Sequence, residues 1–354
     1  MNLTIKESGN YYMTDELNNS NDINDFLKAI STMPSLDEEI SKQAADRNAM
    51  LTKPPGALGR LEDIAIWYCG WRGDFKALVK KPQVIVFAGN HGVASLGVSA
   101  FPSEVTAQMV INFEQEGAAI NQLCKVSGAT LNVHSLELDK PTKDFSKGPA
   151  LSPDEFQKAI LVGWNSVDIE ADLLVVGEMG IGNTTSAAAV ACGLYGGDPE
   201  EWVGRGTGVD DAGLILKSKV VREGLKINKS ALETPMEVLR CFGGREMVAM
   251  VGAISRARSL RIPVVLDGFI CTVSAAVLEN HKSGLLSHCL AGHLSSEGAH
   301  LKILDKLKKK PLLDLSLRLG EASGGALAIN IIKAALACHS GMATFEEASV
   351  SEKS

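Results

Sequence analysis

The densest group of residues that could do chemistry is the glycine-rich run from Gly177 to Thr185. Its three glycines allow the backbone to approach a ligand closely, and an alanine-rich stretch with a helical pattern follows. Backbone N–H groups at the start of a helix bind anions, so a phosphate is the natural guest. A ligand-free tight turn between a strand and a helix has the same composition, so the run alone leaves both interpretations open.

Two well-known phosphate-binding patterns do not fit this run. Gly177 and Gly182 have the spacing of the P-loop glycines, but Asn183 occupies the position of the P-loop lysine. Thr185 stands where the dinucleotide-binding fingerprint has its third glycine. An ATP-hydrolysing site built on this run would therefore lack its main cation.

A second glycine-rich loop, residues 204–211, precedes a helical pattern that contains Lys217. A phosphate needs a cation to offset its charge, and Lys217 is a candidate. Most helical lysines are simply solvated, and the spacing does not distinguish the two possibilities.

Glu321 lies at the start of a predicted helix, next to Gly320 and ahead of the small residues Ser323, Gly324 and Gly325. An exposed acid in the first turn of a helix gains about 0.3–1 kcal/mol from the helix dipole. We expect this dipole to hold the pKa of Glu321 well below 7. The small residues indicate close approach of a ligand or of another backbone segment.

The histidines and cysteines show no metal-binding spacing. His91, His293 and His300 form no H-E-x-x-H pattern, so we expect each to be a hydrogen-bonded structural residue, and we predict no metal and no cofactor. The seven cysteines are scattered and contain no C-x-x-C pair, which indicates buried thiols in a reducing compartment.

Short apolar runs alternate with helical patterns through most of the chain. Four runs predict strands that are buried on both faces: residues 84–88, 131–133, 173–176 and 264–266. Three helices are predicted at residues 36–51, 61–71 and 321–338. The alternation predicts an α/β fold with a doubly wound, mostly parallel, Rossmann-like sheet, which would bind ligands at the carboxyl ends of its strands.

The composition limits the partners and the location. The net charge is −7, and the one basic tract, Lys306–Lys310, closes a predicted helix, so we expect no nucleic-acid partner. No apolar stretch is long enough to span a bilayer and no secretory signal is evident, so we expect a cytoplasmic protein without membrane contacts. The first 23 residues are rich in Asn, Asp, Ser and Glu and are predicted to be a flexible leader.

Six segments together resemble the nicotinate-nucleotide–dimethylbenzimidazole phosphoribosyltransferase family. Each is short, but they occur in the order in which the family has them, which makes the match specific. The segments are residues 53–62 (KPPGALGRLE), 91–93 (HGV), 105–106 (VT), 177–185 (GEMGIGNTT), 266–269 (LDGF) and 318–321 (RLGE).

The resemblance implies transfer of the phosphoribosyl group of nicotinate mononucleotide to 5,6-dimethylbenzimidazole or a related base. The products would be α-ribazole 5′-phosphate and nicotinate, for the cobalamin lower ligand. The resemblance also implies a homodimer with composite active sites. After the leader at residues 1–23, it implies a small helical domain from residues 24–75 plus 330–348 and a large α/β catalytic domain at residues 76–329.

The resemblance also assigns roles to individual residues. The glutamate of R-L-G-E, Glu321, would be the catalytic base, and Glu178 of the G-E-x-G loop would lie in the phosphoribosyl site. The residues implied to bind the substrates are Gly180, Gly182, Asn183, Lys217, Ser295, Phe101, Met109 and Gly320. Of these, Phe101 and Met109 would hold the aromatic base.

These residue types are compatible with that reaction. The ring nitrogen of nicotinate mononucleotide is already cationic, so nicotinate leaves without a general acid. Positive charge then develops on the ribose, and Glu178 would stabilise it. The incoming base becomes cationic as it attacks and loses a proton to a carboxylate, the role predicted for Glu321. Attack from the opposite face would invert the β configuration to α.

Two other functions stay open at this point. A nucleotide-dependent kinase or ATPase would use the run at residues 177–185 and would require ATP or Mg²⁺. A non-catalytic nucleotide-binding regulator would need the glycine-rich loops but would not need Glu321.

Overall fold

A computed structural model describes residues 23–351. The predicted flexible leader, residues 1–23, lies outside the described residues except for its last position. A six-stranded, all-parallel sheet forms the centre of the described chain, in the order β2-β1-β3-β4-β5-β6. The predicted doubly wound α/β fold is therefore confirmed. The direction of the strand order reverses between β1 and β3, which is where such sheets open a crevice for ligands.

The six strands include one, at residues 264–266, that has its predicted bounds and three that extend further than predicted. They are β1 (Pro82–Ala88), β2 (Thr130–Ser135), β3 (Leu173–Met179), β4 (Val264–Leu266), β5 (Cys289–Ser295) and β6 (Pro311–Leu317). Strand β3 continues to Met179, so Gly177 and Glu178 belong to the strand and not to the loop after it. Strands β5 and β6 were not predicted, because Gly292 and His293 interrupt the first and the second lies at a partly exposed edge of the sheet.

Thirteen α-helices connect and cover the strands within residues 23–351. They are α1 (Ile23–Ser31), α2 (Glu38–Met50), α3 (Arg60–Arg72), α4 (Glu104–Glu114), α5 (Ala119–Ser127), α6 (Pro153–Asn165), α7 (Asn183–Tyr195), α8 (Asp211–Ile227), α9 (Pro235–Phe242), α10 (Arg245–Ser259), α11 (Phe269–His281), α12 (Gly298–Lys306) and α13 (Ser323–Gly341). The three predicted helices correspond to α2, α3 and α13. The last begins two residues later than predicted, so Glu321 lies before it.

Strands β1, β3 and β4 are buried on both faces, as their apolar runs predicted. The prediction is wrong for residues 131–133, because β2 lies at an edge of the sheet and has no buried residue. Alternate residues of β1 point to opposite sides: Ile85 and Phe87 belong to a larger core, and Val84 and Val86 to a smaller one. Helices α6, α7, α10 and α11 contribute to the larger core, and α3 and α13 contribute to the smaller core. Glycines allow the closest helix packing, since a Cβ on Gly163 of α6 would lie 1.8 Å from the carbonyl oxygen of Ala249 in α10.

The two ends of the described chain meet beside the smaller core. The Arg47 guanidinium donates hydrogen bonds to the carbonyl oxygens of His339, Ser340 and Met342. Helix α1 lies elsewhere, because Phe26 packs edge-on against Trp164 in the larger core, with ring centroids 6.3 Å apart. The predicted small helical domain of residues 24–75 plus 330–348 stays a prediction.

Two further features of the described residues bear on the sequence analysis. All seven cysteines are free, and six of them are buried. No helix among residues 23–351 has the length and apolar character that a membrane span requires.

Candidate active site

A cleft of about 670 Å³, including the space open to solvent, lies at the carboxyl edge of the sheet. Five parts of the chain form it: the end of β3 with the following turn, the loop at residues 206–207, the segment after β4, the end of β5 with the residues that follow it, and the segment after β6. Of the predicted site residues, five line it: Glu178, Gly180, Asn183, Ser295 and Gly320.

Glycines bring the backbone segments of the site into contact. A Cβ on Gly177 would lie 2.3 Å from the backbone nitrogen of Ala322, so only glycine lets the segment before α13 lie against β3. A Cβ on Gly180 would lie 2.6 Å from the carbonyl oxygen of Gly89. The glycine-rich run is thus a junction of three chain segments as well as a turn into α7.

Helix α4 fixes the other side of this turn. The Thr106 hydroxyl, which is fully buried, accepts a hydrogen bond from the Ile181 backbone N–H over 3.2 Å. Gly182 has a φ of 91° and caps the N-terminus of α7 without lining the cleft. The turn is therefore held from both sides before any ligand binds.

Glu178 is a buried carboxyl at the centre of the cleft. It accepts a short hydrogen bond from the Asn183 amide, and a Cβ on Gly320 would lie 2.6 Å from its Oε1 atom. Burial raises its pKa well above the usual range, and the negative charges of Glu246, Asp267 and Glu321 raise it further. The hydrogen bond from Asn183 opposes this shift only in part.

Glu321 adopts the left-handed conformation, with a φ of 58°, in the turn before α13. Its side chain is 5% exposed and makes no hydrogen bond or ion pair within residues 23–351. Burial raises its pKa to about 7, and the nearby Asp267 carboxylate adds to the shift.

The prediction that the helix dipole keeps the pKa of Glu321 well below 7 is therefore wrong. The side chain is outside the helix, and a different acid uses the helix N-terminus. Asp267 Oδ1 accepts the Gly325 backbone N–H in the first turn of α13 over 2.9 Å. Glu321 faces that carboxylate without a hydrogen-bond donor of its own, so burial and repulsion set its pKa.

Lys217 lies behind the loop at residues 204–206 and is 1% exposed. Its ammonium donates to the Thr184 hydroxyl over 2.9 Å and to the Gly204 carbonyl oxygen over 2.6 Å. Burial lowers its pKa to about 8, although the Glu297 carboxylate opposes this shift. A solvated surface lysine would show none of these features, but Lys217 does not line the cleft, and its role in phosphate binding stays a prediction.

The histidines near the cleft differ from each other. Buried His91 contacts Ser186 Oγ over 2.9 Å and Glu246 Oε1 over 2.7 Å, and His300 contacts Thr272 and Ser295, so both are hydrogen-bonded as predicted. His293 is buried, but neither ring nitrogen has a hydrogen-bond partner, and its Nε2 lies 3.4 Å from Asp267 Oδ1. The prediction of a hydrogen-bonded structural residue is wrong for His293. Its ring packs against Gly324, which has no side chain to offer as a partner: a Cβ there would lie 2.1 Å from the His293 Cδ2.

Phe101 and Met109, the residues predicted to hold the aromatic base, do not line this cleft. Phe101 is 49% exposed in the segment before α4, and Met109 packs against the smaller core from within that helix. Thr106 connects the same helix to the turn at Ile181, so both residues lie on an element that contacts the site. Their role in base binding stays a prediction.

The sequence analysis gave no role to three acids around the cleft: Glu246, Asp267 and Glu297. Asp267 could have been found, because it directly follows a buried strand. Glu246 gives no sequence signal, since acids are common in the first turn of a helix, yet it is fully buried. Within residues 23–351 no group of three or more His, Cys, Asp or Glu residues could hold a metal ion.

Comparison with known proteins identifies the family. A family model described as "Phosphoribosyltransferase" matches residues 33–350. Nicotinate-nucleotide–dimethylbenzimidazole phosphoribosyltransferase of Jannaschia sp. (strain CCS1) is 62% identical over 326 residues, which are 92% of this chain and 97% of that protein. The chain belongs to this phosphoribosyltransferase family. The family prediction made from the six segments is therefore confirmed.

Further members of the family agree with this assignment. The enzyme of the same name from Ruegeria pomeroyi is 61% identical over 331 residues, covering 94% of this chain and 98% of that protein. The crystal structure of CobT from Thermus thermophilus superimposes with a TM-score of 0.84 at 40% identity, over 89% of this chain and all of that one. The sheet and the cleft at its carboxyl edge are thus those of a phosphoribosyltransferase of this family.

Proposed function

We propose that this protein transfers the 5-phosphoribosyl group of nicotinate mononucleotide to 5,6-dimethylbenzimidazole or a related base. The products are α-ribazole 5′-phosphate and nicotinate. Family membership supports this reaction. The observation that carries it is a pair of buried carboxyls without cationic partners: Glu178 lines the cleft, and Glu321 directly follows the lining residue Gly320. The buried ammonium of Lys217 lies close to Gly206, which also lines the cleft.

Lys217 is proposed to hold the donor phosphate. Its ammonium lies between Thr184, which lines the cleft, and the loop at residues 204–206. The N-terminus of α7 adds backbone N–H groups and the positive end of its dipole. Gly180, Asn183 and Ser295 line the space between this end and the carboxyls and are proposed to contact the phosphoribosyl group.

Glu321 is proposed as the general base. A base works best when its pKa lies near the operating pH, and the buried Glu321 carboxyl has a pKa of about 7. It takes the proton that the benzimidazole nitrogen loses as the new glycosidic bond forms. Glu178 is proposed to stabilise, as a carboxylate, the positive charge that develops on the ribose. Burial favours its neutral form in the empty cleft, and the cationic ring of the bound donor favours the ionised form. Glycine at position 320 leaves room for the Glu178 carboxyl.

The direct experiment is to incubate the protein with nicotinate mononucleotide and a panel of bases, with a chelator present, and to identify the products by mass. We expect one equivalent of nicotinate for each ribazole phosphate formed, and no requirement for ATP or metal. Strict dependence on ATP or Mg²⁺ would favour the kinase or ATPase alternative. Binding of nicotinate mononucleotide without any transfer would favour the non-catalytic regulator.

We also propose that the chain acts as a cytoplasmic homodimer. Two exposed large apolar side chains lie on segments next to the site: Phe101, in the segment before α4, at 49% and Leu319, which lines the cleft, at 51%. A second copy that covered them would close the apolar end of the cleft, where an aromatic base would bind. Light scattering on the purified protein measures the molar mass, and a monomer at working concentration would contradict the proposal.

A further inference from the structure

Glu297 is a half-buried residue whose carboxylate lies in the loop at residues 204–206. It accepts the Gly206 backbone N–H through both oxygens, at 3.1 Å and 3.3 Å. A Cβ on Gly204 would lie 2.2 Å from its Oε1 atom, so glycine at that position makes room for the carboxylate. The loop is therefore shaped around an anionic group that the chain itself supplies.

The carboxylate is not held there by its own helix. Glu297 is the N-cap residue of α12, but its side chain accepts no hydrogen bond from the first turn of that helix. It reaches instead to a loop about 90 residues earlier in the chain. The nearby cation is Lys217, which donates to the Gly204 carbonyl oxygen. The Glu297 charge partly offsets the lowering of the Lys217 pKa by burial.

We propose that the Glu297 carboxylate is a resident anion, which occupies the phosphate position beside Gly206 and Lys217 until the phosphate of the donor displaces it. The inference rests on the proposed function, since it takes nicotinate mononucleotide as the displacing ligand. It adds a residue that determines specificity: a donor without a phosphate has no group that competes for Gly206 and Lys217.

The displacement is favourable because a phosphate carries more charge than a carboxylate and accepts more hydrogen bonds. The displacement weakens the apparent affinity for the donor, since the state in which the Glu297 carboxylate has left the phosphate position is a minor one. A competent fraction of about one tenth raises the apparent Kd about tenfold. Removing the Glu297 charge should therefore tighten donor binding, which is unusual for a polar residue that lines an active site.

The test compares Glu297→Gln and Glu297→Ala with wild type by calorimetric titration of nicotinate mononucleotide, nicotinate riboside and inorganic phosphate. Measurement at about pH 6 keeps Lys217 charged, because its pKa is about 8. Glu201→Gln is the matched control. The exposed Glu201 pairs with Lys302 of α12, so its loss removes a charge near the same helix without touching the loop.

We expect the Kd of nicotinate mononucleotide and of phosphate to fall about tenfold in one or both Glu297 variants. The Kd of the riboside, and all three values in Glu201→Gln, should stay within about twofold. Unchanged or weaker binding of the mononucleotide and phosphate in both Glu297 variants would overturn the proposal and indicate that the carboxylate binds the donor, for example through its ribose hydroxyls. If wild type transfers no phosphoribosyl group, the proposed function fails, and the phosphate titration still decides the displacement.

Discussion

The chain contains two regions in which a glutamate of a family segment and a lysine are shielded from solvent, and only one of the regions pairs their charges. Where the chain ends meet, Lys53 and Glu62 form an ion pair of 2.9 Å, with side chains 6% and 10% exposed. Around the cleft, Lys217 and Glu321 are buried as well, although neither lines it, and neither forms an ion pair within residues 23–351.

The pKa values record this difference. Burial alone would raise the pKa of Glu62, but hydrogen bonds from Asn48, Lys53 and the Leu58 backbone N–H hold it at about 2. Glu321 has no such donors, and its pKa is about 7. The Glu62 carboxylate stays ionised and hydrogen-bonded near neutral pH, whereas the Glu321 carboxyl can exchange a proton there. The K-P-P-G-A-L-G-R-L-E segment thus contains a structural ion pair, and R-L-G-E contains the acid proposed as the base.

The largest expected effect is on turnover. Glu321→Gln keeps the shape of the side chain but cannot accept a proton, so kcat should fall by a factor on the order of 10² to 10⁴. The exposed Glu223→Gln in α8 is the control and should keep wild-type kcat. Steady-state rates of nicotinate release measure both variants. Near wild-type kcat in Glu321→Gln would show that the unpaired acid is not the base.

The two glutamates should have opposite effects on stability at about pH 8. Glu62→Gln removes charge-assisted hydrogen bonds and should lower the free energy of unfolding by about 1–3 kcal/mol. Glu321→Gln removes a buried charge without a partner and should raise it by a similar amount, on the order of 1–3 kcal/mol.

The sign follows from the direction of each pKa shift. Glu62, with its lowered pKa, adds stability above pH 4.5 that is lost as the pH falls toward 2. Glu321, with its raised pKa, loses stability as the pH rises from 4.5 through 7. Urea unfolding at about pH 8 and about pH 4.5 tests both, and the gain from Glu321→Gln should vanish at the lower pH. Destabilisation by Glu321→Gln at both pH values would mean that this carboxyl has a structural partner after all.

Lys217 should matter for donor affinity rather than for folding. Lys217→Ala removes a charge-assisted hydrogen bond to the phosphate, so the Kd of nicotinate mononucleotide should rise about tenfold to a hundredfold. Lys219→Ala, an exposed lysine of the same helix, should leave it unchanged. Titration calorimetry compares the variants. Equal affinities would remove Lys217 from the phosphate site.

The smallest expected effect is on the pH profile. Because the base must be ionised, kcat/KM should fall on the acid side of about pH 7, approaching about tenfold per unit. Glu321→Gln should lack this acid limb in its residual activity. A profile that stays flat down to about pH 5 would restore the original prediction that the helix dipole keeps the Glu321 carboxyl ionised.

The sequence by itself determined the outline of the sheet and the location of the site. Continuous apolar runs predict strands β1, β3 and β4 because a strand buried on both faces has few polar positions. A weaker run, which Asn132 interrupts, predicts β2. Strands β5 and β6 were not predicted. A glycine and a histidine interrupt the apolar run of β5, and β6 lies at a partly exposed edge of the sheet. The six segments identified the family, and with it the candidate residues Glu178, Lys217 and Glu321.

Only the tertiary structure decided how deeply those side chains are buried and which charges surround them. The spacing of R-L-G-E allowed a dipole-stabilised carboxylate, but the chain turns at Glu321 and Ala322 before α13 begins, and Asp267 takes the helix N–H. Likewise, the sequence allows Lys217 to be a solvated helical residue, but in the structure the loop at residues 204–206 covers it. Burial and the distance between charges depend on segments far apart in sequence, and these two quantities set the pKa values on which the chemistry depends.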